Sequence, residues 1–314
     1  MKLTKYIIPG LLLVTVIVFA CSNTLKKEVA ENTDSSPTVE IKTSKQKLSE
    51  EFKKYWYAGE AELTSFELEQ ARYGEIRTGK AVQVFVTEDF LPKEQVKADS
   101  RNFDNVPVLK LNSTKKYLTG IYPYSIMTSA FYPVSDNQHA IKVSNSIQEW
   151  CGHVYAQLNN REQFEITSHS YFQGEADKDF KLGKAVLEDE IWAKIRINPD
   201  DLPSGTLKII PSMEFSRLRH VPLKAYEAKA KLTQKGDLKT YIIEYPELQR
   251  TLKIDFNSAF PYEIIGWVES FKSGFGRNAQ VLTSTAKKIK SIKSPYWRKN
   301  SNKDLVLRDS LGLN

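Results

Sequence analysis

The chain has 314 residues, 41% of them hydrophobic and 11% aromatic, which supplies a sizeable core and excludes an intrinsically disordered protein. Its 45 Lys and Arg against 38 Asp and Glu give a formal charge of +7, and it has only two cysteines. That excludes a disulfide framework and points to acidic partners whose kind depends on the compartment.

Lys2 and Lys5 precede an apolar run, Tyr6 to Ala20, that ends at Cys21. The run is shorter than the roughly 20 residues a spanning helix needs and suits a secretory leader. Val18-Phe19-Ala20-Cys21 resembles the lipobox of bacterial lipoproteins, with Phe19 a departure from the small or aliphatic residue usual there. The resemblance implies cleavage before Cys21, a diacylglycerol thioether on its sulfur and N-acylation, so that lipidated Cys21 is the membrane attachment. Ser22, in place of Asp, resembles outer-membrane delivery. The alternative is a plain signal anchor with Cys21 a bystander. Loss of residues 1–20 removes Lys2 and Lys5 and lowers the charge from +7 to +5. Export excludes nucleic acid and leaves lipid phosphates or anionic glycans as acidic partners. Lipidation also leaves Cys151 without an intrachain disulfide partner.

Residues 21–47 are polar, of mixed charge and nearly free of large apolar side chains, the composition of a flexible tether. Leu48 to Trp56 places apolar residues at 48, 52, 55 and 56, which predicts a short amphipathic helix ended by Tyr57-Ala58-Gly59. From there to residue 286 the pattern becomes period two. Strands are predicted at Glu62–Phe66, Lys80–Thr87, Val106–Leu111, Tyr117–Tyr124, Ala140–Val143, His153–Leu158, Phe164–Phe172 and Ile191–Ile197. More follow at Thr206–Ile210, Tyr226–Leu232, Lys239–Tyr245, Leu252–Phe256 and Ile264–Ser270. Polar turns such as Asn159-Asn160, Pro203-Ser204-Gly205 and Lys235-Gly236-Asp237 separate them. Many short strands joined by short turns predict a mainly β body, a large antiparallel sheet forming an open barrel or sandwich. Glu62-Leu63-Thr64-Ser65 with Gly79-Lys80-Ala81-Val82 is echoed by Glu165-Ile166-Thr167-Ser168 with Gly183-Lys184-Ala185-Val186. The echo is either an internal duplication or a coincidence of two generic hairpins. Residues 287–314 hold eight basic residues against Asp304 and Asp309 and read as a basic tail. With Tyr296-Trp297 inside it, that tail could lie on an anionic lipid or glycan surface, or be merely solvated.

Candidate chemistry is sparse. There is no G-x-x-x-x-G-K-S/T phosphate loop, and no cofactor is expected. Cys151 and His153, two apart on a strand, share a face and are the weak candidates for a thiol nucleophile with its base; the alternative is a small buried cysteine. His139, His153, His169 and His220 form no compact zinc spacing. Glu175, Asp177 and Asp179 alternate and could offer oxygens to calcium, or be a solvated hairpin tip. Leu187-Glu188-Asp189-Glu190 reads as an acidic turn before a strand. Tyr55, Trp56 and Tyr57 with Tyr122, Tyr124 and Trp150 could line an apolar groove, or be ordinary core.

The stretches YWYAGEAELTSFELEQARYGEIRTGKAV, VFVTEDF, GIYPYSIMTSAFYPV and QEWCGHVYAQLN are similar to a set of uncharacterised Bacteroidota lipoproteins, over most of residues 50–270. Members often carry the label "septum formation inhibitor Maf". The chain lacks the Ser-x-Ser-Pro-Arg-Arg loop of true Maf nucleotide pyrophosphatases, and Ser294-Pro295-Tyr296-Trp297-Arg298 lies at the far end without the pattern. The resemblance implies an envelope lipoprotein and assigns no catalytic residue. The functional expectation is an outer-membrane-tethered, non-catalytic module for binding or envelope maintenance that holds an apolar ligand or a partner protein. The alternative is an extracytoplasmic hydrolase using Cys151/His153 or acidic residues.

Overall fold

In a computed structural model, residues 47–313 are described. The expected leader, Cys21 and nearly all of the tether lie outside them. In chain order the body runs α1 (Glu50–Trp56), β1 (Ala61–Arg72), β2 (Glu75–Leu91), β3 (Val96–Lys97), β4 (Val106–Thr119), β5 (Tyr122–Pro133), β6 (Lys142–Glu149), β7 (Gly152–Asn160), β8 (Phe164–His169), β9 (Lys178–Leu182) and β10 (Val186–Leu187). It continues with α2 (Glu188–Ile197), β11 (Gly205–Ile210), α3 (Met213–Arg219), β12 (Tyr226–Lys235), β13 (Leu238–Tyr245), β14 (Arg250–Asn257), β15 (Ile264–Ser273), β16 (Gln280–Ser294) and α4 (Val306–Ser310).

All sixteen strands belong to one sheet, in the order β10-β11-β12-β13-β14-β15-β16-β1-β2-β4-β5-β6-β7-β8-β9, with β3 on β2. Every pair is antiparallel except β10 with β11. The mainly β architecture, the antiparallel sheet and the short N-terminal helix are as the sequence predicts. The two outermost strands, β9 and β10, are consecutive in the chain, separated by residues 183–185. A link that short spans at most ~14 Å, so the sheet must roll until its edges meet, as an open barrel. Central strands are longer than expected: β2 has 17 residues and β16 has 15.

The rolled sheet encloses α2. Its sequence, EDEIWAKIRI, is buried at every position except Trp192 and Ile197, charged residues included. Ile191 and Ile195 join one core with Phe66, Tyr241, Ile254 and Trp267. Ala193 joins a second, with Phe85, Leu111, Tyr132 and Phe164. The helix is the wall both cores share. This corrects the expectation of an acidic turn at 187–190 followed by a strand at 191–197. The Ile191-Ala193-Ile195-Ile197 alternation mimics a strand, but a helix enclosed on all sides needs no polar face, so its period carries no signal.

Four buried charges on α2 are each met by a fixed partner. Glu188 takes both Arg250 guanidinium nitrogens and the Tyr245 hydroxyl at 2.5–2.7 Å. Glu190 accepts from the Ala140 backbone N–H at 2.7 Å and contacts His139 Nδ1 at 3.1 Å. Lys194 donates to the Tyr132 hydroxyl, Asn137 Oδ1 and Gln138 carbonyl. Arg196 binds both oxygens of Glu62 at 2.5 and 2.7 Å and also donates to the Pro261 carbonyl. Burial alone would push the Glu62 carboxyl up, but the Arg196 guanidinium holds it below the ordinary carboxylate range. The same balance holds for Glu188 beside Arg250.

Three further expectations are revised. Tyr117–Tyr124 is not one strand but the β4–β5 hairpin, closed by Gly120-Ile121. The basic segment is not a tail from residue 287. Lys287 and Lys288 lie within β16, paired to Glu67 and Phe66 of β1, and Lys293 donates to the Tyr55 carbonyl. Leu311 is buried, and its carbonyl accepts from Ser65 Oγ. Lys287 and Lys290 are exposed, whereas Lys288 pairs with Glu263 and Lys293 is held at Tyr55, so a strand carries the charges that read as a tail. The sequence echo does not extend to structure either. Gly79 sits inside the β2 ladder opposite Tyr117, where a Cβ would strike the Lys116 carbonyl at 2.2 Å. Gly183 lies past the end of β9 in open space.

Arg196→Met leaves Glu62 buried without its counter-charge and is expected to destabilise the body by about 3–5 kcal/mol. The double variant Glu62→Leu/Arg196→Met should lose much less. Urea denaturation of the three chains measures this; a double variant as unstable as the single would contradict it.

Candidate functional site

The antiparallel order gathers seven connections at one end of the barrel: those after β1, β4, β6, β8, α3, β13 and β15. Three adjoining spaces lie there. The largest of these three, about 700 Å³, lies between the inner face of β6–β9 and α3. Its walls are the inward alternate residues Val154 and Ala156 of β7, Ile166 of β8 and Phe180 of β9, facing Met213 and Leu223. A smaller space of about 200 Å³ shares Val154, Phe172, Arg217 and His220 with this cleft. It shares Arg72, Tyr73, Leu218 and Phe275 with a chamber of about 70 Å³ deeper in the barrel.

Local sequence sets α3 against the cleft. Ser212 caps it, its Oγ accepting from the Phe215 N–H at 3.1 Å. His220 ends it in the left-handed region at φ 52°. The Met213 N–H donates to Asp189 Oδ2 at 3.1 Å, tying α3 to α2. One short helix thus presents Met213 to the apolar wall and Arg217 and His220 to the mouth.

The mouth is polar. Glu175 Oε1 lies 2.6 Å from His220 Nδ1, and its Oε2 lies 3.3 Å from Arg217 Nε. Arg217 also covers the Phe172 ring at 4.2 Å. Arg72 is buried and donates to the Leu218 carbonyl and the Tyr73 and Tyr124 hydroxyls, with its Nε left without a partner. Burial pulls the Arg217 and Arg219 guanidiniums down, and the charge of Arg72 adds to it. Deeper in the chamber Asp189 is buried beside Glu188 and Glu214, and burial pushes its carboxyl up to about 7.

The Cys151/His153 candidate does not form a reactive centre. Trp150-Cys151 is the two-residue turn between β6 and β7, and Cys151 is exposed, not a buried hydrophobe. Its backbone N–H donates to Glu149 Oε2 at 2.7 Å. The hydrogen bond to Glu149 holds the thiol above its ordinary value, the opposite of what a nucleophile needs. His153 is exposed on β7 and pairs across the ladder with Gln148.

Glu175, Asp177 and Asp179 diverge: Glu175 turns to His220 and Arg217, Asp177 to His169, and Asp179 accepts from Thr167 Oγ1. No group of metal-ligating side chains forms among the described residues.

The aromatic candidates split between opposite ends of the barrel. Trp56 is core against Phe85, Tyr55 donates to Glu62, and Tyr57 is exposed. Tyr124 is buried and stacked on Tyr117 at 5.1 Å, while Tyr122 and the exposed Trp150 approach to 6.3 Å at the mouth. They do not make one groove. Sequence reading missed Arg72, Met213 and Arg217, and weighed His220 only as a zinc ligand. An amphipathic stretch ending in Arg217-Leu218-Arg219-His220, capped by Ser212, was the available signal.

A Ser-His-acid arrangement is not assembled at the mouth. Ser216, one turn before His220, has its Oγ buried without a hydrogen-bond partner. What remains is an apolar cleft with a charged, tyrosine-bearing entrance, where Arg72, Arg217 and His220 meet Glu149 and Glu175.

No protein-family model and no curated protein matches the chain. Among solved structures, it is similar to a β-barrel-like protein of domain of unknown function DUF1849 from Brucella abortus. That match has a TM-score of 0.39 and 7% identity and covers 74% of this chain and 98% of that one. A porin-like protein from Bacteroides uniformis ATCC 8492 has a TM-score of 0.20 and 10% identity, covering 74% of this chain and 96% of that one.

Two outcomes test this geometry. Cys151 should react with iodoacetamide at neutral pH more slowly than a free cysteine peptide; a faster rate would contradict the raised thiol. Asp189, with its folded value raised from 3.8 to about 7, contributes stability that is present below pH 4 and lost as pH rises through 7. Asp189→Asn removes that loss. Its advantage over the parent should therefore grow from pH 5 to pH 8, towards a ceiling of roughly 4 kcal/mol. Urea midpoints at both pH values check this, and an equal offset at both would contradict it.

Proposed function

We propose that the chain is an envelope lipoprotein, held at the outer membrane through lipidated Cys21. Its body binds an apolar or amphipathic molecule in the β6–β9/α3 cleft and performs no chemistry on it. The observation that carries this reading is the cleft, about 700 Å³ and walled by aliphatic and aromatic side chains from three strands, β7, β8 and β9, and from α3. That size and lining suit a small-molecule site, in which a few polar groups fix orientation. Arg217, His220 and Arg72 at the entrance supply those groups, so a molecule with an apolar body and a polar end fits best.

The lipobox-like Val18-Phe19-Ala20-Cys21 and the similarity to Bacteroidota lipoproteins support the envelope location. The hydrolase alternative requires converging nucleophile and base. Cys151 beside Glu149, and Ser216 without a partner, weigh against it.

The test is displacement of a fluorescent fatty-acid analogue from the full chain. Ala156→Trp fills the cleft and is expected to weaken binding about tenfold or more, equivalent to 1.4 kcal/mol, with an unchanged melting temperature. Undiminished binding by a folded Ala156→Trp chain would overturn the proposal. Replacement of Cys21 by Ala should release the chain from membranes and abolish incorporation of a palmitate analogue; retained label would overturn the attachment at Cys21.

A further inference from the structure

The end of the barrel that holds the cleft mouth is also apolar on its outside. Tyr73 lies in the β1–β2 turn, Ile121 in β4–β5, Trp150 in β6–β7, Tyr171 in β8–β9, and Phe275 in β15–β16. Ile121 is 82% exposed, Trp150 68% and Phe275 66%. A hairpin tip normally carries Gly, Asn, Asp or Ser because it meets water. Five tips at one end instead present a large apolar side chain to solvent.

The tips touch one another. The Tyr73 and Phe275 rings lie 6.0 Å apart. Tyr171 packs on the next hairpin at Gly152, where any Cβ would meet its ring at 2.4 Å. Trp150 approaches Tyr122 at 6.3 Å. The opposite end is different. Its hairpin tips include the polar Arg161-Glu162-Gln163 and Lys235-Gly236-Asp237, and its exposed apolar residues Tyr57, Val96, Phe103 and Trp297 lie outside hairpin tips, in the α1–β1 link, the β2–β4 excursion and the segment after β16.

We propose that this rim is a membrane-docking surface, seated in the interfacial layer of a bilayer that contains anionic lipid. Three observations select a bilayer as the occupant. First, Trp and Tyr with aliphatic neighbours are the side chains that settle at the headgroup boundary. Second, Lys116, Lys272 and Arg277 stand beside the tips, exposed and without an ion pair among the described residues. Such cations each add to attraction for an anionic surface. Third, the chain before the body is long enough. From Cys21 to Lys47 it can span ~90 Å when extended, while the longest strand, β2, covers only ~56 Å. A body anchored at Cys21 can therefore bring its far end to the same membrane. Docking in this pose puts the cleft mouth at the lipid surface, so an amphipathic molecule can pass between bilayer and cleft without crossing water.

The test uses Cys151, which lies in one of the tips. In the full chain carrying Cys21→Ser, Cys151 is the single thiol, and it takes an environment-sensitive nitrobenzoxadiazole label. The labelled chain is bound to phosphatidylcholine/phosphatidylglycerol vesicles containing a nitroxide-lipid quencher. The label is expected to shift to the blue and to be quenched several-fold more than the same label at Phe103→Cys in a chain that also carries Cys151→Ser. Ile121→Glu with Phe275→Glu should abolish the difference without lowering the melting temperature. Equal quenching at Cys151 and Phe103→Cys would overturn the proposal. So would a blue shift that depends on protein concentration and needs no vesicles, because that outcome assigns the rim to a second copy of the chain. Neither result bears on fatty-acid binding by the cleft, which is read separately by displacement.

Discussion

The fold depends on a charged helix kept out of water. α2 enters the barrel directly from the edge strand β10 and carries Glu188, Glu190, Lys194 and Arg196 into its interior. A buried charge is tolerable only with a geometrically fixed counter-charge and further hydrogen bonds. Those partners come from distant parts of the sheet: Glu62 from β1, Tyr132 from β5, Tyr245 from β13 and Arg250 from β14. The helix therefore sets where strands far apart in sequence must sit. Apolar residues would fill the same volume with less specificity about register. The two apolar cores on either side of α2 supply the burial, and the ion pairs fix the arrangement.

This constraint also creates the site. A barrel with a helix along its interior is filled where the helix packs and open where it does not. α2 packs against β4 and β5 as well as β1, β2 and β12–β16, and α3, tied to it through Asp189, leaves part of the inner face of β7–β9 open. The cleft is thus a consequence of an off-centre filling. Its mouth falls among the hairpin turns at one end, which is why Arg72 from the β1 terminus and Arg217 from α3 meet there. In the proposed function, apolar contents enter past a charged, aromatic rim.

Strand existence was legible from period-two alternation, because one face of an antiparallel sheet meets core and the other meets water. The helix Leu48–Trp56 and its stop at Gly59 were legible for the same kind of reason. α2 was not, since enclosure removes the polar face that makes a helix recognisable. The C-terminal strand was hidden by its own lysines, which read as a solvated tail although Lys288 and Lys293 are held by Glu263 and Tyr55. In the site, single residues such as Cys151 and Trp150 stood out in the sequence, but a turn put them on the surface. Arg72, Met213 and Arg217 did not stand out, because their meaning comes from a sheet order that brings residues more than a hundred positions apart to one mouth.

The central claim is that the cleft is an occupied binding site in the native protein. Native mass spectrometry of the full chain, purified from its own envelope, tests it most directly. The account predicts a co-purifying amphipathic molecule, released on denaturation and missing from the Ala156→Trp chain. A chain that carries no small molecule, or one that carries the same molecule after the cleft is filled, would contradict it.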